Sequence, residues 1–243
     1  MMAGHVAANG FHLATWSRAV SPAVDLVIYI EGDGFAWISR QHISSDPTPV
    51  TPVALQLAAL DTAHTVYLAR PCQFTAALSP DVCRDEKWWT GARFSEAVIG
   101  AFDQAISTLK ARASAQRIHL VGYSGGGAIA VLVAARRNDI ASLRTVAGNL
   151  NHAELHAHHK VSPIPDSLNP VDFAAQISHI PQLHFIGLSD TVIPPDLAQN
   201  FLNRLDEGNC AHVIKVQATH NTGWEEQWPR LLNTPFPCEL LRH

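Results

Sequence analysis

Short apolar runs alternate with longer amphipathic segments along this chain of 243 residues. The first two runs, residues 26–30 and 66–69, are rich in β-branched or aromatic residues and stop at Gly or Pro, which is typical of inner β-strands. Between residues 94 and 109, apolar positions recur at the three- and four-residue spacing of an amphipathic helix. Further strands are predicted at residues 118–121, 143–147, 183–186 and 213–216, and further helices after residue 124, near 195 and beyond 223.

Strands that alternate with helices predict an α/β fold, with a mostly parallel, doubly wound sheet, right-handed crossovers and helices on both faces. Functional residues of such a sheet gather at the carboxyl ends of its strands. The length suits a single domain over residues 1–243, with a short cap or loop insertion around 149–180 that contains a short helix near 172–178.

The composition, 47% hydrophobic and 16% charged, is that of an ordinary soluble globular protein. A net charge of −4 offers no basic patch to a phosphate backbone, so we do not expect nucleic acid as a partner. No apolar run approaches the ~20 residues that a membrane-spanning helix needs. We therefore expect no membrane span.

Four cysteines can pair in three ways. We favour Cys72 with Cys83, which would close a polar loop, and Cys210 with Cys238, which would join a late strand to the C-terminal tail. Two disulfides would indicate an exported protein, periplasmic or secreted, whereas four unpaired and mostly buried thiols would indicate the cytoplasm. The sequence leaves both compartments open.

The strongest chemical signal lies at residues 118–128, IHLVGYSGGGA, where an apolar strand ends in glycines and a helix of small residues begins. Its centre, Gly122 to Gly126, fits the G-x-S-x-G pattern of a nucleophile elbow. Glycine is needed at these positions for a steric reason, because the strained strand-to-helix turn tolerates almost no side chain on either side of the serine. We therefore predict that Ser124 is a nucleophile.

A serine nucleophile needs a histidine that accepts its proton and an acid that orients the histidine. His220 follows a predicted strand and precedes the last predicted helix, which places it on a loop at the functional edge. Asp190 comes just after the preceding strand, at the same edge. The order Ser124, Asp190, His220 is the one known for hydrolases with this elbow. Asp172 and Asp196 remain alternatives for the acid.

Acyl transfer also requires amide donors for an oxyanion. One is expected from Gly125, directly after the nucleophile. The second should come from the loop after the first predicted strand, which has the sequence Glu31-Gly32-Asp33-Gly34. We assign it to the amide of Asp33, with Gly34 as the alternative, because the glycines let this backbone approach a substrate oxygen.

With these motifs the chain resembles the α/β-hydrolase superfamily, from about residue 26 to residue 228. More loosely, the segments EGDG, ARPCQ, WWT and SLNP are similar to small bacterial hydrolases of undefined substrate. The superfamily's usual strand order makes the strands that end at Glu31 and Arg70 neighbours, so we expect an ion pair between them that braces the oxyanion loop. Glu31 is a departure, because lipases and esterases of the superfamily often carry His in this loop.

These residues favour a serine hydrolase that cleaves a carboxylic ester of a small acyl compound through an acyl-enzyme, without a cofactor. A thioesterase or a small-peptide hydrolase would use the same residues. A non-catalytic binding protein on a hydrolase fold is the alternative from another class. The candidates for lining the substrate pocket are Gly34, Tyr123, His152 and Trp224.

Several histidines lie close together in the Pro-rich segment 149–180. Because histidine is a common metal ligand, a metal-dependent hydrolase is a further alternative. A loop with no cysteine nearby is a poor zinc site, because zinc ligands are usually fixed and hydrogen-bonded to their surroundings. We predict no metal and expect one or two of these residues to line the pocket and the rest to be solvated: His152, His156, His158 and His159.

Overall fold

The computed structural model describes residues 1–20 and 24–240. Its strands are β1 (Met2–Ala8), β2 (Phe11–Arg18), β3 (Asp25–Ile30), β4 (Trp37–Ser39), β5 (His42–Ile43), β6 (Thr65–Leu68), β7 (Arg117–Tyr123), β8 (Ile140–Val146), β9 (Gln182–Gly187) and β10 (Ala211–Val216). Its α-helices are α1 (Val53–Leu60), α2 (Glu96–Ala113), α3 (Gly125–Ala134), α4 (His152–His159), α5 (Asp196–Leu202), α6 (Trp228–Leu232) and α7 (Pro237–Leu240).

One eight-stranded sheet has the order β1-β2-β6-β3-β7-β8-β9-β10. The pairs β1–β2 and β2–β6 are antiparallel. The pairs from β6 onward are parallel, which confirms the predicted mostly parallel α/β sheet. The carboxyl ends of β3, β6, β7, β8, β9 and β10 therefore lie at one edge.

Helices cover both faces of the sheet, as the sequence predicts. Ile28 and Ile30 of β3 belong to a hydrophobic cluster that includes residues of α2, α3 and α5. Tyr29, between them in sequence, belongs to a cluster on the opposite face with residues of α1 and α6. This alternation follows from the two-residue period of a strand.

The hairpin of β1 and β2 is not among the predicted elements. Its two-residue turn is Asn9-Gly10, and both residues have positive φ, 47° and 83°. Such turns match the twist of the strands they connect, and Asn-Gly is their preferred sequence. The hairpin adds Val6 and Leu13 to the core and completes the antiparallel edge of the sheet.

The segment 149–180 contains more helix than the sequence analysis predicts. Two short 3₁₀ turns, Pro170–Phe173 and Ala175–Ile177, lie where one short helix is expected. The histidine-rich stretch, expected to be a loop, forms α4. The side chain of Asn151 caps this helix by accepting a hydrogen bond from the amide of Glu154.

The sulfur atoms of Cys72 and Cys83 are at bonding distance, and so are those of Cys210 and Cys238. The Cα atoms are 5.6 Å apart in the first pair and 5.4 Å apart in the second, and both separations suit a disulfide. These are the pairings that the sequence favours. In the described part of the chain, no helix is long and apolar enough to cross a membrane.

Candidate active site

Ser124 occupies the sharp turn between β7 and α3. Its backbone has a φ of 51° and a ψ of −119°, a strained conformation for a residue with a side chain. The turn is tight: a β-carbon at Gly122 would overlap the carbonyl of Gly126, and one at Gly126 would overlap the carbonyl of Ile30. Glycine is therefore required on both sides, and the turn leaves the Ser124 side chain facing a cavity.

The side chains of Ser124, His220 and Asp190 form a hydrogen-bonded chain. His220 Nε2 lies 3.1 Å from Ser124 Oγ, and His220 Nδ1 lies 2.9 Å from Asp190 Oδ2. The other carboxylate oxygen, Asp190 Oδ1, accepts hydrogen bonds from the amides of Val192 and Ile193, at 2.8 and 2.9 Å. The three side chains follow β7, β9 and β10, so they meet at the carboxyl edge of the sheet.

The loop that carries His220 is fixed by two aromatic side chains. Trp224 Nε1 donates a 2.9 Å hydrogen bond to the carbonyl of His220. The hydroxyl of Tyr123 donates its proton to Asn221 Oδ1 at 2.6 Å and lies 3.2 Å from the carbonyl oxygen of His220. Trp224 is almost fully buried in the core and does not line the cavity at Ser124, in contrast to the prediction.

Three backbone amides near Ser124 are available to an external acceptor. Gly125 is the first residue of α3, so its amide has no acceptor within the helix. No hydrogen bond from the amides of Gly125, Asp33 or Gly34 is present within residues 1–20 and 24–240. The structure thus leaves both Asp33 and Gly34 open as the second donor.

A cavity of about 380 Å³ opens at Ser124. Of the candidates for lining the substrate pocket, Gly34 and Tyr123 line this cavity and His152 does not. Much of its wall comes from the segment between β3 and α1, where the sequence points only to the candidate oxyanion residues. The lining residues are Glu31, Asp33, Gly34, Phe35, Pro49, Val50, Thr51, Tyr123, Ser124, Val192, His220 and Asn221.

The ion-pair partner of Arg70 is Asp33, so the expected pair with Glu31 is wrong. Arg70 Nη1 lies 2.9 Å from Asp33 Oδ1. β3 and β6 are neighbouring strands, as expected. The side chain of Asp33 contacts Arg70, however, whereas that of Glu31 contacts backbone amides. Glu31 Oε1 accepts from the amide of Gly32 at 2.9 Å and lies 3.5 Å from the amide of Ala54 in the first turn of α1.

The two carboxyl groups differ in charge state. Burial alone would raise the pKa of Asp33, but the charges of Arg93 and Arg70 outweigh it and hold this pKa below its usual value. Glu31 is buried, and burial raises its pKa to about 7, although the hydrogen bond from Gly32 offsets part of the effect. Asp33 is therefore an anion at neutral pH, whereas Glu31 titrates there.

Two histidines of α4, His152 and His156, are buried. His152 stacks on Phe94, and its Nε2 lies 3.2 Å from the carbonyl of Leu168. His156 Nε2 lies 3.1 Å from Arg93 Nη2. Because a guanidinium only donates, His156 accepts here and is neutral. Burial lowers the pKa of both histidines, that of His152 to about 4.

The other two histidines of the cluster lie further out on α4. His158 is exposed, and His159 Nε2 lies 2.7 Å from the carbonyl of Val192. Across residues 1–20 and 24–240, no three His, Cys, Asp or Glu side chains are grouped as metal ligands would be. The crowding of histidines in the sequence therefore does not produce a common site in the fold.

The fold is shared with solved hydrolases. An esterase of Pyrococcus furiosus superimposes with a TM-score of 0.64 at 12% identity, over 95% of this chain and 87% of its own. An α/β serine hydrolase homologue from Coxiella burnetii gives 0.59 at 17%, over 95% and 93%. An acylaminoacyl peptidase of Pyrococcus horikoshii gives 0.63 at 13%, over 90% and 37%. A sequence search of curated proteins found no match.

At these identities the structural likeness establishes the α/β-hydrolase fold alone. A sequence profile adds the family: that of the serine hydrolase (FSH1) family matches residues 59–223, about two thirds of the chain. The match includes Ser124, Asp190 and His220. The chain therefore belongs to the FSH1 family of serine hydrolases, within the α/β-hydrolase superfamily.

Proposed function

We propose that this chain cleaves a carboxylic ester through an acyl-enzyme, with Ser124, His220 and Asp190 as a catalytic triad. The observation that carries the proposal is the hydrogen-bonded chain from Ser124 Oγ to His220 Nε2, 3.1 Å, and from His220 Nδ1 to Asp190 Oδ2, 2.9 Å. The first distance lies in the range for proton transfer to a catalytic base, and the second is that of a hydrogen bond that orients the base.

In the first half of the reaction, Ser124 Oγ attacks the carbonyl carbon and its proton passes to His220 Nε2. The bond to the leaving alcohol oxygen then breaks, and the proton moves from His220 to that oxygen. In the second half, water attacks the acyl-enzyme, gives a proton to His220 and releases the acid, while Ser124 regains its proton. Asp190 keeps His220 in the tautomer whose Nε2 is free to accept and stabilises the imidazolium.

We assign the oxyanion hole to the amides of Gly125 and Asp33, with Gly34 as the alternative to Asp33. Preorganised amides of this kind stabilise the tetrahedral intermediate because they need no reorganisation when the negative charge develops. Phe35, Pro49 and Val50 give the cavity apolar walls, which suits an ester with an apolar group.

The nucleophile is tested with a fluorophosphonate probe followed by mapping of the adduct. We expect labelling at Ser124 that is lost in Ser124→Ala and reduced to background in His220→Ala. Ser142→Ala is a matched control, because Ser142 Oγ also contacts a histidine, at 2.7 Å from His119 Nδ1. Ser142 is buried toward the amino-terminal ends of the strands, away from Ser124. Ser142→Ala should label and turn over like the wild type; an unlabelled wild type would favour a non-catalytic binding protein.

The leaving group is tested with one acyl group presented as an ester, a thioester and an anilide. The comparison is needed because the triad itself suits all three, and the structural neighbours include proteins described as an esterase and as a peptidase. We expect the highest kcat/KM for the ester. A higher value for the thioester or the anilide would replace the proposed substrate. Turnover that survives Ser124→Ala and stops with a chelator would favour a metal-dependent hydrolase.

The two cysteine pairs support export to an oxidising compartment, the periplasm or the exterior. Alkylation of the unfolded, unreduced protein, followed by mass measurement, counts its free thiols. We expect no alkylated cysteine in protein taken from its native compartment. Four alkylated cysteines would instead support a cytoplasmic protein.

A further inference from the structure

The loop that presents the Asp33 amide is held by one short segment after β6. Arg70 Nη1 contacts Asp33 Oδ1 at 2.9 Å, and Gln73 Nε2 donates a 3.0 Å hydrogen bond to the carbonyl of Gly32. Gln73 Oε1 in turn accepts from the amide of Arg70 at 3.0 Å. The EGDG motif, which contains the proposed second oxyanion donor, thus directly contacts the ARPCQ motif, to which the proposed reaction assigns no role.

A second arginine completes this arrangement. Arg93 Nε lies 3.3 Å from Asp33 Oδ2, and Arg70 Nη2 donates a 2.6 Å hydrogen bond to the carbonyl of Arg93. Both guanidinium groups lie over the ring of Phe94, at 5.1 and 5.4 Å from its centroid. The side chains of Arg70 and Arg93 are only 4% and 10% exposed, whereas that of Asp33 is 29% exposed, so the two guanidinium groups are the shielded partners of these contacts.

The Asp33 carboxylate also packs against the other half of the oxyanion hole. A β-carbon at Gly125 would overlap Asp33 Oδ1 and would lie 3.1 Å from Arg70 Nη1. The residues that we assign as oxyanion donors are therefore in contact through the carboxylate that Arg70 holds. Displacement of that carboxylate would change the distance between the two amides.

The two arginines also change the charge beside the oxyanion. An unpaired carboxylate next to Gly125 would oppose the negative charge that develops on the substrate oxygen. The guanidinium groups of Arg70 and Arg93 offset the charge of this carboxylate. The two ion pairs thus reduce the repulsion that the Asp33 carboxylate would exert on an oxyanion.

We infer that Arg70, assisted by Arg93, is a positioning residue for the oxyanion hole, which it sets by fixing the Asp33 carboxylate against Gly125. The inference rests on the proposed function. It predicts a fall in kcat with little change in KM. Misplaced oxyanion donors stabilise the transition state less, but they leave substrate binding nearly unchanged.

The test compares Arg70→Met with Arg70→Lys, which keeps a charge that can reach Asp33. Loss of one oxyanion donor costs about 10²- to 10³-fold in kcat. We expect Arg70→Met to lower kcat about 10²-fold with KM within about threefold of wild type, and Arg70→Lys to recover about tenfold. Arg117→Met is the matched control, because Arg117 forms a bidentate ion pair with Asp25 at the amino-terminal ends of β7 and β3, away from Ser124.

A boronic acid inhibitor gives the second readout, since its adduct with a serine hydroxyl is tetrahedral. Its affinity should fall in Arg70→Met by about the factor lost in kcat/KM. Where Arg70→Met does not fold, Arg70→Lys carries the test, with about a tenfold loss in kcat. A variant with wild-type kcat, or one that loses kcat without losing boronic acid affinity, overturns the inference. A wild type without labelling at Ser124 overturns the proposed function itself.

Discussion

The hydroxyl of Tyr123 donates a 2.6 Å hydrogen bond to the side chain of Asn221. Tyr123 precedes Ser124, and Asn221 follows His220, so the bond joins the elbow to the loop that carries the histidine. The ring of Tyr123 also lies 5.3 Å from the ring of His220. The distance between Ser124 and His220 therefore depends on a contact outside the proposed triad.

Tyr123→Phe removes this hydrogen bond and keeps the ring. A neutral hydrogen bond contributes about 0.5–1.5 kcal/mol, so we expect kcat to fall about two- to tenfold. Asn221→Ala should have a similar effect, and the double variant should lose little more than either single one, because both changes break the same contact. Steady-state kinetics of the four proteins measure this. Fully additive losses would show that the two side chains act separately.

Asp190→Asn should lower kcat by about 10³- to 10⁴-fold with little loss of stability. The amides of Val192 and Ile193 both donate to Asp190 Oδ1, so they hold the carbonyl oxygen of the asparagine and turn its NH₂ group toward His220. That group would favour the imidazole tautomer whose Nε2 carries the proton and cannot accept one from Ser124.

The control is Asp172→Asn, since Asp172 is the alternative acid from the sequence and is exposed in the 3₁₀ turn Pro170–Phe173. We expect it to retain wild-type kcat. A large loss in Asp172→Asn together with full activity in Asp190→Asn would reverse the assignment of the acid.

The sequence can place Ser124, Asp190 and His220 after strands of one sheet because each of these positions depends on local constraints. The tight turn needs glycine at set positions, and the strand pattern places the acid and the histidine at one edge of the sheet. Two further features have local signals that lie outside the hydrophobic periodicity: the Asn9-Gly10 dipeptide, which favours a hairpin turn, and Asn151, which favours a helix N-cap.

Side-chain direction beyond the strand ends is not encoded locally. Glu31 and Asp33 are both acids near Arg70, and only the folded loop decides that Asp33 forms the ion pair. The cavity wall at Pro49 and Val50 has the same origin, because these residues lie far along a loop from the strand end. His152 likewise packs on Phe94 through a helix that the Pro-rich composition does not suggest.

Buried His184 should make the protein sensitive to acid. Its Nδ1 lies 2.8 Å from Thr145 Oγ1 and its Nε2 3.2 Å from Gln182 Oε1, and burial lowers its pKa to about 3. The unfolded chain binds a proton near pH 6.5 and the folded chain does not, so stability falls as the pH drops below 6.5. Between pH 6.5 and pH 5 this costs about 2 kcal/mol.

Urea unfolding of His184→Asn at pH 7 and pH 5 checks this. We expect the wild type to lose about 2 kcal/mol more than the variant between these pH values, whatever the variant loses at pH 7 from imperfect packing. His158→Asn, which changes an exposed histidine of α4, should behave like the wild type. Equal losses in wild type and His184→Asn would mean that His184 is not the source of the acid sensitivity.

Glu31 should have the opposite effect, a loss of stability as the pH rises from about 4.5 to about 7. Burial raises its pKa to about 7, above the value of about 4.5 in the unfolded chain. The folded state therefore holds its proton between these values, and its contribution to stability declines as the pH rises through this range. The cost of ionising Glu31 in place reaches about 3 kcal/mol above pH 7.

Glu31→Gln removes this cost and keeps an oxygen that accepts from the amide of Gly32. We expect its free energy of unfolding, relative to wild type, to be about 2–3 kcal/mol higher at pH 8 than at pH 5, which means a more stable variant at pH 8. Glu225→Gln, at an exposed glutamate, supplies the baseline. Parallel stability curves for Glu31→Gln and wild type would show that Glu31 is already ionised in the folded protein at pH 5. Between about pH 4.5 and pH 6.5 the decline that we expect from Glu31 offsets the gain from His184, so together they predict a broad plateau of stability in this range.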